Sequence, residues 1–173
     1  MLYLFDANVL ITANNTYYAI DQVPEYWEWI QYQGEAGNIK LAAEIMDEIV
    51  AGQNTQKGKK NEDLLLIWIK QPVIKKALLF DEEVDASIVA SVIDGGYAPD
   101  LTDTELEVVG RDPFLVAYAL AGKDRCVVTT ETSSPKKQRQ NRKLPDVCKT
   151  FNVECHTPFK VNRDLGFKTD WKR

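Results

Sequence analysis

Histidine is almost absent from this sequence: His156 is the only one among 173 residues. No Ser-His-Asp or Cys-His arrangement is recognisable, so nucleophilic catalysis of those kinds is set aside. Cysteine is scarce as well. Cys126, Cys148 and Cys155 are odd in number and lack CxxC spacing, which argues against a disulfide framework or a zinc knuckle. The adjacent Cys155-His156 pair beside Cys148 is too small a donor set to suggest zinc. No apolar run approaches the roughly 18 to 20 residues that a membrane-crossing helix needs. The opening Met1-Leu2-Tyr3-Leu4-Phe5-Asp6 has no basic leader and no small-residue cleavage site, and does not read as a signal peptide. These absences lead to the expectation of a cytoplasmic protein without a membrane partner. Positive charge is in deficit too. Lys and Arg number 21 against 26 Asp and Glu, a net charge of −5, which speaks against gripping nucleic acid by general electrostatics.

What is present suits a globular domain. The hydrophobic share of 45 % is enough for a real core, and the length fits a single domain over residues 1–173. Strand-like and helix-like segments alternate. Leu2-Tyr3-Leu4-Phe5 is too short for a helix and reads as a buried strand. A helix start follows at Asn8–Ala13, then polar turns over residues 14–23. Pro24 suits the first position of a helix through Tyr32, ended by Gly34 and Gly37. Asn38–Leu41 reads as a brief strand, Ala43–Ala51 as a helix closed by Gly52, and residues 53–61 as a lysine-bearing polar loop. Leu64–Lys70 is apolar and helical in character, and Pro72 either breaks that pattern or starts the next segment. Glu82–Ile93 has helical spacing, broken by Gly95-Gly96. Asp112-Pro113 reads as a cap and first helical residue, opening a helix that is apolar nearly all round. Cys126–Thr129 is then a buried strand, and the neighbourhood of Val153 a last short one. A buried helix leading at once into a buried strand belongs to an α/β fold with a parallel sheet.

In such sheets ligands sit beyond the carboxyl ends of the strands. Asp6 lies there, directly after the first strand, and Glu131 follows the Cys126–Thr129 strand. Glu44 and Glu48 are four apart, on one helix face. Asp112 opens the buried helix. Each acid taken alone reads equally as a helix cap or a solvated surface group. Together they offer carboxylates from four segments, the donor type that hard cations such as Mg²⁺ and Mn²⁺ take.

Four motifs resemble the PIN-domain nucleases. Phe5-Asp6-Ala7-Asn8-Val9-Leu10-Ile11 is similar to the family's opening motif. Glu48-Ile49-Val50-Ala51-Gly52 is similar to the second, and Arg111-Asp112-Pro113-Phe114 with the alanine-rich helix behind it to the third. Val127-Val128-Thr129-Thr130-Glu131 is similar to the fourth. They stand in the family's order. The tail segment Pro145-Asp146-Val147-Cys148 resembles the toxin-like branch. The resemblance implies a three-layer α/β/α fold with a central parallel sheet, and endoribonuclease activity dependent on Mg²⁺ or Mn²⁺. It implies the toxin of a toxin–antitoxin pair, with an antitoxin partner and a possible homodimer. Asp6, Glu48 and Asp112 would be the principal metal ligands and Glu131 the fourth acid. Asn8 and Thr130 would support them or orient water. The family usually has Asp where this chain has Glu131, so Asp146 and Glu44 stand as alternatives for the fourth ligand. The non-enzymatic alternative is a PIN-like RNA-binding or scaffold protein with a decayed site. A haloacid-dehalogenase-like phosphatase, which also begins strand-Asp, needs a second Asp where this chain has Asn8. A structure-specific DNA nuclease would need a helical clamp for which the chain lacks room.

RNA would meet this acidic protein at a concentrated basic stretch, residues 136–143. Lys136, Lys137, Arg139 and Arg142 are expected to hold phosphates flanking the cleaved bond. The aromatic group Tyr17-Tyr18 and Tyr26-Trp27-Trp29-Tyr32 is expected to pack in the core or at a dimer surface rather than to stack on bases.

Overall fold

The computed structural model describes residues 1–54 and 63–172. The polar loop expected over residues 53–61 lies outside the described residues from 55 onward. Five strands form one parallel sheet: β1 (Leu2–Phe5), β2 (Ile39–Ala42), β3 (Leu79–Phe80), β4 (Arg125–Val128) and β5 (Glu154–His156), in the order β3-β2-β1-β4-β5. The central β1 has Leu4 and Phe5 fully buried, as a strand covered on both faces must. Leu2 to Phe5 pair in register with Arg125 to Val128.

The chain steps outward from β1 to β2 and β3, then returns to β1's other side at β4 and steps out to β5. Because parallel crossovers are right-handed, this reversal puts the two sets of helices on opposite faces. α1 (Ala7–Thr12), α2 (Pro24–Glu35), α3 (Ala43–Asn54), α4 (Leu64–Ile69) and α5 (Pro72–Leu78) pack among themselves. α6 (Ala86–Gly96), α8 (Asp112–Leu120) and α9 (Leu144–Thr150) pack against one another, with α7 (Asp103–Val109) between α6 and α8 in sequence. α10 (Pro158–Asp164) leads to a tail in which Phe167 packs edge-on against Tyr26 and Trp171 Nε1 donates to the Glu25 carbonyl. The fold is thus α/β/α with a central parallel sheet. Among the described residues no helix is long and apolar enough to cross a membrane.

Several boundaries differ from expectation for physical reasons. α3 does not stop at Gly52 but runs to Asn54. α6 begins at Ala86, not Glu82, because the Asp85 carboxylate accepts from Ser87 N at 2.8 Å and caps it there. α6 ends at Gly95-Gly96 as expected, the two glycines being its last residues. A Cβ on Gly96 would fall 2.7 Å from Val147 Cγ1, so its lack of a side chain is what lets α9 approach. β3, α7 and α10 carry too few residues or too mixed a pattern to stand out in the sequence. The expected turns after Ala13 begin with a π-helical turn, Ala13–Tyr17. Of the aromatic group, Tyr26, Trp27 and Trp29 are buried, and Tyr18 stacks on Tyr26 with ring centroids 4.1 Å apart. Tyr17 and Tyr32 stay about half exposed.

α2 ends at Glu35, between Gly34 and Gly37 as expected, with Gly37 just beyond it at a left-handed φ of 77°. A Cβ on Gly34 would sit 2.7 Å from Leu78 Cδ2 and 2.9 Å from the Ala77 carbonyl oxygen, which is backbone and cannot move aside cheaply. Gly34→Ala is predicted to lower unfolding stability by about 1–3 kcal/mol in a urea titration, the usual cost of overpacking. An unchanged midpoint would mean that α2 and α5 are not in such close contact.

Candidate functional site

The order in which strands are added reverses between β1 and β4, and the carboxyl ends of these two parallel strands lie at the same edge. This is the switch point at which open α/β sheets place ligands. Asp6 follows β1 directly, its N–H donating to the Val128 carbonyl at 2.9 Å. Only 5 % of Asp6 is exposed. Although Asp6 occupies the cap position of α1, its carboxylate makes no cap hydrogen bond. Instead the Thr129 hydroxyl donates to Asp6 Oδ2 at 2.8 Å, and the Asn8 amide nitrogen donates to the same oxygen. Asp112 tells a similar story. It lies within the first turn of α8, with Arg111 at the cap position, and no side-chain cap bond is made there. The capping role expected of Asp112 is therefore corrected: its carboxylate is left for something else.

The acids act on one another. Burial pushes Asp112 up to about 8, helped by the negative charges of Asp6, Glu131 and Glu48 and opposed by Lys143. Burial also pushes Asp6 up to about 6; the Thr129 hydrogen bond works against this, while Glu48 and Glu131 add to it. Glu48, at the rim on α3, is raised by desolvation and lowered by Arg111. Asp6, Glu48, Asp112 and Glu131 thus come from four segments into one electrostatic neighbourhood.

Glu131 differs from the other three in its bonding. Its Oε1 pairs with Lys143 Nζ at 2.5 Å, and its Oε2 accepts from Leu144 N at 2.9 Å, at the start of α9. It ties the strand end to that helix. Asn8 is a hub: besides its bond to Asp6, its Oδ1 accepts from Thr130 N at 3.0 Å and Thr130 Oγ1 at 2.8 Å. Thr130 thus reaches Asn8, whereas Thr129 reaches Asp6. The threonine touching the acid is the one sequence reasoning passed over, although the period-two alternation of an extended segment puts Thr129 and Glu131 on one side.

The two alternative ligands are placed elsewhere. Glu44 receives the Tyr118 hydroxyl at 3.4 Å and lines a groove with Phe80, Glu82 and Glu83. Asp146 is buried, and its oxygens accept from Ser133 Oγ and Ser134 N, bracing the loop after Glu131. Two of the four expected RNA-binding cations are also engaged. Arg139 pairs with Asp100 and Glu105, each at 2.7 Å, which holds Arg139 at a left-handed φ of 54°. Arg142 donates to the carbonyls of Gly96 and Asp146 and to the Thr150 hydroxyl. Both fasten the loop to α6, α7 and α9. Lys136 and Lys137 are exposed. Among the described residues, the cations acting on the acids are instead Lys143, paired with Glu131, and Arg111, which acts on Glu48. A further group not anticipated is Tyr97, whose buried hydroxyl has no hydrogen-bond partner among the described residues and lies within the fields of Asp112 and Glu131. Only long-range packing brings it there, so no local signal could have named it.

Among known families, one described as a domain of unknown function (DUF4411) matches residues 3–169. No curated protein and no solved structure matches the chain.

The raised acids fix the sign of a pH effect on the metal-free protein. Asp6 and Asp112 hold protons more tightly folded than unfolded, so folding takes up protons between the ordinary 3.8 and about 8. Their contribution to stability falls as pH rises through that window. Glu105 acts oppositely: its bonds to Arg139 and Thr102 depress it to about 2, so its contribution is present above 4.5 and is lost below. The melting temperature in chelator is predicted to peak near pH 5 and decline towards pH 8, with Asp112→Asn removing most of the decline. A flat profile above pH 5, the same in both proteins, would contradict the crowding of buried acids.

Proposed function

The chain belongs to the DUF4411 family, a domain of unknown function, and we propose that it is a metal-dependent endoribonuclease of PIN-like type. One observation carries this reading. Two carboxylates stand at helix starts without capping them, and with two further acids they crowd the switch point of a parallel sheet. Concentrated, partly desolvated negative charge of that kind is costly unless a cation answers it.

The donor set fits Mg²⁺ or Mn²⁺, since it consists of carboxylate oxygens. Asp6, Glu48 and Asp112 would hold the ion. Bound there, it would offset the acids' charge, draw in the scissile phosphate and activate water for in-line attack. The chain's own groups supply position. Thr129 and Asn8 hold one oxygen of Asp6 in place. Glu131, with both oxygens engaged, acts as a positioning residue that keeps Lys143 beside Asp112. Lys143 and Arg111 place positive charge at the rim, where RNA phosphates would meet it. Exposed Lys136 and Lys137 extend that contact along the loop.

The PIN resemblance gives the proposal its finer form: the toxin of a toxin–antitoxin pair, able to form a homodimer and silenced by an antitoxin protein.

The deciding experiment is cleavage of a mixed RNA pool by purified protein with Mn²⁺, with Mg²⁺ and with chelator. Metal-dependent cutting is expected, and Asp6→Asn and Asp112→Asn should each reduce it at least ~100-fold. Cutting that persists in these variants would remove the acids from the mechanism, and none with any metal would favour the binding or scaffold reading. Reversing Lys136 and Lys137 to Glu should weaken RNA binding and flatten its salt dependence by about two counter-ions. Reversing Arg139 should mainly lower the melting temperature, because its partners are Asp100 and Glu105. Equal effects on RNA binding from both changes would contradict that division of labour.

A further inference from the structure

Strands β4 and β5 bring a second set of metal-ligand side chains together. Cys126 on β4 is aligned with Glu154 on β5, and Val128 with His156. Glu154 and His156 are two apart on one strand, so they share a face of the sheet. The donor atoms of Cys126, Glu154 and His156 all lie within 4.8 Å of one another, and the Glu154 carboxylate is 3.6 Å from His156 Nε2. Among the described residues this is the one trio of such side chains so tightly grouped. It shares no residue with the carboxylate cluster: Cys126 lies three residues before Thr129, about 10 Å back along β4, while His156 ends β5 level with Val128, its carbonyl accepting from Thr129 N at 3.1 Å.

One feature marks the trio as incomplete: among the described residues, the buried His156 Nδ1 has no hydrogen-bond partner. The Cys126 thiol donates to the Val127 carbonyl at 3.4 Å and lies against the backbone N–H of His156. A buried unsatisfied nitrogen calls for a missing partner, and an ion is one such partner. The trio does not resemble an activated nucleophile. Cys126 is fully buried and burial pushes its thiol up to about 12, the reverse of what a reactive cysteine requires. Access runs through Glu154, which is exposed, and His156, whose side chain is 19 % exposed.

We propose that Cys126, Glu154 and His156 form a second cation site, which takes a zinc-class divalent ion through sulfur, nitrogen and a carboxylate oxygen. The ligand types suit zinc rather than magnesium, and three protein donors leave the fourth tetrahedral position to water. Binding exchanges the thiol proton for the ion, and the proton passes to solvent. The ion would clamp the three-residue edge strand β5 onto β4. This site does not depend on the nuclease reading, and its test does not use cleavage.

The test is titration of the metal-free full chain with Co²⁺, followed by the near-ultraviolet thiolate-to-cobalt charge-transfer absorption. Wild type should saturate at about one equivalent of thiolate-bound ion and release it to Zn²⁺. Cys126→Ser should lose the band, whereas Cys148→Ser, Cys155→Ser and Asp6→Asn should keep it. Because Cys126 is a core position, His156→Gln and Glu154→Gln serve as partly exposed replacements that leave the thiol in place. Each should weaken binding by at least the roughly 10- to 100-fold that loss of a ligand's supporting partner costs. Absence of the band in wild type, its survival in Cys126→Ser, its loss in Cys148→Ser or Cys155→Ser, or unchanged affinity in His156→Gln would each overturn the assignment.

Discussion

Negative charge held where water is scarce is the constraint around which this molecule is organised. Asp6 follows the most central strand of a parallel sheet, and Asp112 opens a helix that is buried nearly all round. Neither site would be chosen for stability, because desolvating a carboxylate beside others opposes its ionisation. The neighbouring chemistry reads as a response. Thr129 and Asn8 donate to Asp6, Lys143 counters Asp112, and Arg111 counters Glu48. None of these removes the excess, since Asp112 is still pushed well above the carboxylate range.

The loop after β4 shows how the surrounding structure keeps this arrangement in place. Glu131 caps the approach to α9 while holding Lys143. Asp146, one turn into that helix, reaches back to Ser133 and Ser134. Arg142 and Arg139 then fasten the far part of the loop to α6 and α7. A segment that is merely basic in composition is thus a set of specific ties, and its unengaged charge is concentrated in Lys136 and Lys137.

How much of this could be read in the sequence follows from the range of the interactions. β1, α8 and β4 were legible because their residues are apolar on every side, which few other structures tolerate. Asp6, Asp112 and Glu131 stand out because each adjoins such a segment, whereas Glu48, inside α3, is singled out by its spacing from Glu44 and by the family resemblance. The start of α6 was misread because Val84 fits the helical period, while the Asp85 cap, one residue later, decides the boundary. Gly34 and Gly96 read as helix ends, which they border, but their second role, admitting Ala77, Leu78 and Val147 from far along the chain, has no local signal. Tyr97, Lys143 and the Cys126–Glu154–His156 trio belong to the same class. Their meaning lies in contacts across the fold, and nothing adjacent in sequence announces them.

The sheet's margins carry a consequence of their own. β3 has two residues and β5 three, so the outermost strands present few unpaired amides and carbonyls to another chain. A long bare margin is a template for strand-by-strand polymerisation, and brevity is one of the ways natural proteins deny it. Both described margins of the sheet thus offer little purchase for open-ended, strand-by-strand growth.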